Sequence, residues 1–490
     1  MSTKKFSVIL TALILLLLVS SCLSDSDSDT NNPPTPSSPS QLKVIGGYGG
    51  AGLTGGKGAS ICIYPQMRGF LLSDGEAVVP ELEMPTGATI IDADITWTDA
   101  DNTIYPNGFK INEGVTVTIP DSLTDGGLVI SVQGPVVIAG NIVRGENTTG
   151  TPVNVTIEAE QTVVITGKID VSGPDNDSGD GIAGGRVFIN NDFIQDSLYG
   201  IYFTGEIMAI GGDALGATGD GGAGGWVEIN GGDNEDIIVS GTIRVDGGNG
   251  VAGIGNGGDA GTICILNYYD PHPSPTPLSL GNLYFYDVDL LFGSGGFGEN
   301  EGGLGGDFAI EADRGAIQLS IPMEFNGGAS YTGNGGNAEE CSDIWSNYDN
   351  KEESNNADVI IEAPIQIRGG TGANGGRGGW LYIGATDGHL FSYGVIDLKG
   401  GVGGAGAGGD GGYLLAETWN TGSNSENFWL VMTFAHADGG NGFLQGGNGG
   451  IIELTNYTQG PIYVNMNNLT ADAGRGGGGT DGQIIITSNP

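Results

Sequence analysis

Positive charge is scarce in this chain: 16 Lys and Arg stand against 58 Asp and Glu in 490 residues, a formal net charge of −42. Binding to nucleic acid depends on neutralising phosphates with basic side chains, so that class of partner is excluded. Docking directly on anionic lipid head groups is disfavoured for the same reason. Cysteine is scarce too. The four residues Cys22, Cys62, Cys264 and Cys341 are too widely spaced for a disulfide framework or a zinc ribbon. The three histidines, His272, His389 and His436, form no paired metal motif. No sustained 3.6-residue apolar stripe exists beyond the leader, which removes helical bundles from consideration. The longest apolar run, Val8 to Val19, has 12 residues. That is short of the ~20 needed to span a bilayer as a helix.

Lys4 and Lys5 precede this run, as in a secretory leader, and we read residues 1–21 as a signal peptide. The run closes in Leu18-Val19-Ser20-Ser21-Cys22. That string resembles the lipobox of bacterial lipoproteins. The resemblance implies that Val19, Ser20 and Ser21 guide cleavage and that Cys22, acylated on sulfur and amine, becomes the mature N-terminus. Several acyl chains on one residue hold a membrane firmly. Leu23, in place of Asp, resembles the pattern of lipoproteins forwarded to the outer membrane. Residues 22–42 are Ser, Asp, Asn, Pro and Thr with little to bury, the composition of an extended disordered tether. Loss of the leader removes two lysines and takes the net charge to −44.

Glycine is what the chain has in abundance, 95 residues of it, and it is organised. Ten times a glycine-crowded stretch runs into a short strand of alternating apolar residues. Examples are Gly58-Ala-Ser-Ile-Cys-Ile63, Gly225-Trp-Val-Glu-Ile229, Gly379-Trp-Leu-Tyr-Ile383 and Gly450-Ile-Ile-Glu-Leu454, with a worn copy at Gly336–Ile344. Many glycine stretches also follow a strand, such as Ile243-Arg-Val-Asp246 or Ile396-Asp-Leu-Lys399. One unit therefore reads strand, loop, strand, Gly-rich loop. Units recur every 31 to 46 residues, but without the glycine loops they shrink to 18–20. That length fits one rung of a stacked solenoid better than a four-stranded propeller blade.

These patterns predict an all-β chain folded as a right-handed parallel β-helix, with glycine-rich loops stacked along one corner. Side-chain-poor loops suit that corner because coils lie ~4.8 Å apart and loops leaving one corner share that spacing. Residues 43–95 are expected to cap the N-terminal end with a first rung, and 96–490 to form the helix. The phrase Ile237-Ile-Val-Ser-Gly-Thr-Ile-Arg-Val245, echoed at Val163–Val171, resembles repeats of filamentous-haemagglutinin-type surface proteins. The resemblance implies fold and surface location and transfers no binding residue.

Candidate chemistry is thin. Asp175, Asp177 and Asp180 place three carboxylates within six residues, a density suited to calcium, although the distal bidentate Glu of an EF-hand is missing and a solvated turn competes. No other cofactor is implied. The tandem Gly-Gly-x-Gly-x-Asp register of a calcium β-roll does not occur. Asp170, Asp246, Asp397, Asp438 and Asp472 stand near the ends of strands before glycine loops and are expected to align as a column. Trp226, Trp380 and Tyr413 open strands and are expected to form an outer stripe. Cys62 and Cys264 hold the same repeat position and read as outward strand side chains. We expect a lipid-anchored cell-surface protein, structural or adhesive, with glycans or surface proteins as partners. The alternative is a polysaccharide lyase or hydrolase on the same solenoid, against which the repetition argues, because an active site departs locally from a repeat.

Overall fold

A computed structural model describes residues 81–488, except 124–126, 147–149, 192–199, 233–235, 268–280, 287–289, 340, 348–356 and 421–426. It is all-β. Twelve mostly long strands make one parallel sheet and 22 mostly shorter strands make another. Every pairing joins one coil to the next in parallel. Ile189, Ile229, Ile265, Ile310, Ile344 and Ile383, for example, stand in a single line across six coils. The worn copy keeps this register despite its altered sequence, because Ile344 holds the inward position.

Each coil has three strands, one more than the sequence reading allots. A coil runs from a long strand such as Trp226–Gly231 to a short Ile237–Val239 and then to a short Thr242–Arg244. The glycine inside the repeated phrase divides what reads as one strand. Gly140, Gly167, Gly205 and Gly241 stack at this bend, and a Cβ on Gly167 would lie 1.9 Å from the Gly140 carbonyl oxygen. The constraint relaxes later: Leu390–Asp397 and Leu430–His436 cross the bend as single strands, with a register shift between Ser392 and Val395. The first strands described, Thr89–Ile91 and Ile95–Thr96, already pair with the next coil.

Alternation sends one face of every strand inward. Val, Ile, Leu and Phe there are almost wholly buried and form one continuous core. Each contributes roughly 1.5–3 kcal/mol by leaving water. At the ends of the long strands the inward column turns polar, with Asn191, Asn267, Ser346, Thr418 and Asn456 buried. Asn456 satisfies itself by donating to the Phe428 and Gly460 carbonyls at 2.9 and 3.1 Å.

From residue 172 onward the corner before each long strand opens into an out-and-back glycine loop. These loops are hydrogen-bonded to each other rather than draped in solvent. Gly474 N–H donates to the Gly447 carbonyl, Gly447 to Gly440, Gly440 to Gly409 and Gly409 to Gly401, all at 2.7–2.9 Å. The alternation continues coil by coil back to Pro174. Partners repeat every three residues, as Gly222 to Gly212 and Gly225 to Ala209 illustrate. That is the period of polyproline II, whose backbone leaves its amides free for lateral bonds. A Cβ at Gly409 would sit 1.8 Å from the Gly376 oxygen, so side chains are excluded from the layer.

Candidate ligand-binding face

The outward face of the 12-stranded sheet carries a group of aromatic and acidic side chains. Long strands supply it at every second residue, since neighbours on a strand point oppositely. In Tyr413–Trp419 the inward set is Leu414, Ala416 and Thr418, which leaves Tyr413, Leu415, Glu417 and Trp419 outside. The next coil, Ile451–Asn456, adds Glu453 and then Tyr457 just past its end. Trp419 and Tyr457 stack with ring centroids 3.7 Å apart and planes 21° from parallel. Trp419 Nε1 donates to Glu417 Oε2 at 2.7 Å, and the Tyr413 hydroxyl donates to Glu453 Oε2 at 2.9 Å. Burial raises the Glu417 carboxyl above its ordinary value, against the pull of the indole N–H. Trp380 and Tyr382 each meet Tyr413 edge-on at 6.0 Å.

Further along the face, Arg186 pairs with Glu228 at 2.5 Å and lies over the rings of Phe188 and Trp226. Trp226, Trp380 and Tyr413 thus do face outward. Trp226 is separated from the other two by coils carrying Thr262 and Asp307 in its column. The alternation of the strand pattern could have predicted Trp419. Tyr457 lies beyond its strand, where that rule stops.

Between these aromatic groups lies an acidic patch. Asp343, supplied by the worn coil, is pushed up to about 7, chiefly by burial and then by Glu311 on the preceding coil. Asp307, held by the Thr262 hydroxyl, and Glu339 are raised as well, burial being the main cause in both. Cys264 shares this patch. Its thiol is pushed up to about 12 by burial, then by Asp307, Glu228, Asp343 and Glu311, so it is an unreactive thiol among carboxylates. It is outward, as its alternation predicts, yet almost covered by these neighbours.

The aspartates elsewhere serve the coil itself. Asp175 Oδ1 accepts from Asp213 N at 2.8 Å, Asp213 Oδ1 from Asn249 N at 2.6 Å, and Asn249 Oδ1 from Phe297 N at 2.9 Å. A second ladder runs from Asp180 to Asp220 to Asn256. A third runs from Asp410 to Asn448 to Thr480. Each side chain caps the amide one coil on, at positions where the three-residue period leaves an N–H without a carbonyl partner. Of the three acids read as a calcium cluster, Asp175 and Asp180 each cap an amide one coil on. Among the described residues no three His, Cys, Asp or Glu groups are placed to hold a metal ion.

The single column of aspartates also needs correction. Asp397 stands one position ahead of Leu398 in the register that pairs it with His436, whereas Asp438 and Asp472 lie two residues past that level. Asp170 shares the first level and Asp246 the second. Cations interleave with both: Arg368 meets Asp397 at 2.5 Å, Lys399 meets Asp438 at 3.4 Å, and Arg244 meets Asp246 at 2.6 Å. His389 accepts from the Trp429 amide and His436 pairs with Thr470, both as structural contacts between coils. His272, Cys22, Cys62, Val19, Ser20 and Ser21 lie outside the described residues.

An open depression of about 290 Å³ lies near the start of the same outer face, lined by residues including Asn154, Thr156, Arg186 and Phe188. No protein family, no curated protein and no solved structure matches the chain. Function must therefore be argued from the surface alone.

Proposed function

We propose that the protein is a lipid-anchored bacterial surface scaffold, right-handed like other parallel crossovers, that binds glycans along the outer face of its long-strand sheet. One observation carries the reading: Tyr413, Glu417, Trp419, Glu453 and Tyr457 place flat rings and fixed carboxylates side by side on two adjacent strands. Aromatic faces stack on the C–H faces of sugar rings, and carboxylates accept their hydroxyls. A net charge of −42 repels anionic polymers, so the ligand class is neutral or amino-sugar glycan. Attachment rests on Cys22 and its lipobox. Palmitate labelling that persists in Cys22→Ser would refute the anchor.

The binding test is a pull-down on insoluble neutral polysaccharides and chitosan. Replacing both Trp419 and Tyr457 with Ala should weaken binding by about 10-fold or more, since each lost stacking contact is worth roughly a kcal/mol. Unchanged binding in the double variant would sink this face as the site.

A hydrolase reading has one observation in its favour, the Glu311–Asp343 pair, in which Asp343 is held near neutrality as a general acid must be. It predicts release of reducing sugar that Asp343→Asn abolishes. Release that survives this change, or none from any glycan the protein binds, dismisses it.

A further inference from the structure

Among the described residues, the most exposed large apolar side chains stand at the outer ends of the glycine loops. Phe443 is 77 % exposed, Tyr331 76 % and Leu444 70 %. Bonds from the Gly450 amide to Ala437 and from the Gly447 amide to Gly440 close one loop from its base outward, which leaves Phe443 and Leu444 at its apex. The bond from Gly336 to Gly328 does the same for Tyr331-Thr332-Gly333. Two coils lie between, with apices Gly372-Ala373-Asn374 and Gly404-Ala405-Gly406. Bridges between Asn334 and Asn374, Gly372 and Gly403, and Gly403 and Gly442 hold the four apices in register. At ~4.8 Å per coil the row from Tyr331 to Phe443 is about 14 Å long.

Two properties separate these apices from ordinary solvated turns. The first is charge. Residues 325–338, 369–376, 400–409 and 439–449 hold no charged side chain, in a protein of net charge −42. Earlier loops do carry acids, Asp177 and Asp180 in one and Glu299 and Glu301 in another. The second is the backbone. The Tyr331 amide donates to the Gly298 carbonyl, Ala373 to Gly333, Gly404 to Gly372, Phe443 to Gly403 and Leu444 to Gly406, all at 2.6–3.1 Å. A surface turn commonly leaves such amides to water. An N–H that already has a partner can leave water without losing a bond, which is the condition for entering an apolar phase.

The row is a ridge, not a groove. Its large side chains project from separate loop ends, with glycine and alanine between them. A soluble ligand or a folded partner needs continuous contact, whereas the boundary between head groups and acyl chains closes around each apex singly. Tyr331 suits that depth, with its ring in the apolar layer and its hydroxyl among head groups. The missing acids remove local repulsion, while the charge of the whole chain still opposes anionic lipid.

We propose that the apices of the later glycine loops, led by Tyr331, Phe443 and Leu444, dip into the interface of a zwitterionic lipid bilayer and lay the loop corner against the membrane. This contact is separate from an acyl anchor at Cys22 and does not depend on it.

The test reads the apex itself, so a chain held to the vesicle by any other segment gives the same answer. The full chain carrying Cys22→Ser, Cys62→Ser, Cys341→Ser and Leu444→Cys is labelled with a polarity-sensitive dye; the remaining Cys264 is almost covered. Vesicles of pure phosphatidylcholine should move the emission to the blue. The same dye at Ile104→Cys, an exposed position on a bare coil, should not respond. Adding Phe443→Ser and Tyr331→Ser to the Leu444→Cys chain should remove most of the shift at equal lipid. No shift at position 444, or an equal shift at position 104, overturns the proposal. A blue shift without lipid that grows with protein concentration would place a second copy on the ridge and overturn it too.

Discussion

The coils before residue 172 and those after it share one wall but differ at one corner. Ile157 of a bare coil pairs in register with Ile189 of a loop-bearing one, and the core passes between them without a break. The bare coils turn from short to long strand through brief segments such as Trp97–Asn102, where Trp97 Nε1 donates to Asn102 Oδ1 at 2.7 Å. The loop-bearing coils spend ten or more residues there and bury no large side chain in them. The wall is held by apolar burial, whereas the glycine layer is held by amide–carbonyl bonds between backbones that only glycine lets approach. Two stabilising principles thus operate on either side of one corner, and they should fail separately.

The strongest test places a methyl in the layer. Gly409→Ala brings a Cβ to 1.8 Å from the Gly376 oxygen and breaks a chain of bonds running through Gly401 and Gly440. Overpacking against backbone has nowhere to relax, and a loss of about 3 kcal/mol or more is expected. Solenoid coils contact only their neighbours, so hydrogen exchange should accelerate around residues 370–450 while Phe109–Val171 stays protected. Uniform acceleration across both regions would show that layer and wall are one cooperative unit.

A second test uses pH. Carboxyls that burial pushes up, among them Asp236, Asp307, Asp343 and Asp358, belong to loop-bearing coils. A raised carboxyl means that the folded state holds its proton more tightly than the unfolded chain does. Its stabilising effect is complete below the ordinary value near 4 and is lost as pH climbs to the folded value, about 7 for Asp343. At fixed ionic strength the protein should therefore melt lower at pH 8 than at pH 5. Asp343→Asn should recover on the order of 1–3 kcal/mol more at pH 8 than at pH 5. An identical pH dependence in wild type and variant would remove Asp343 as the cause.

Much of the wall was legible in advance. The apolar pairs after each glycine run located the long strands, including the worn Ser342–Ser346, because inward burial tolerates little else at those positions. The split of Ile237–Val245 into two strands was not legible, since a glycine in an apolar run reads equally as a weak strand residue or a bend. Only the coil below, with the Gly205 carbonyl where the Gly241 Cβ would fall, decides it. The acidic patch escaped for a related reason: Asp307, Glu311 and Asp343 are 36 residues apart from first to last and meet only through register. Asp175, Asp177 and Asp180 present the opposite case. Their closeness along the chain suggested convergence, but Asp175 and Asp180 flank the turn closed by Asn176 and each reaches an amide of the next coil, at Asp213 and Asp220.

The smallest effect separates the ladders of Asp and Asn from the glycine bonds beside them. Asp213 Oδ1 accepts the Asn249 amide while its own amide is taken by Asp175, so removing the side chain frees one N–H and leaves the other bond standing. The freed amide sits near the surface, where water can replace the lost acceptor. Asp213→Ala should therefore cost only about 0.5–1 kcal/mol, in contrast to the much larger cost at Gly409. Asp213→Asn keeps the accepting oxygen and should remain within a few tenths of wild type by urea unfolding. If Asn proved as damaging as Ala, the carboxylate's charge rather than its lone pair would be what the stack uses.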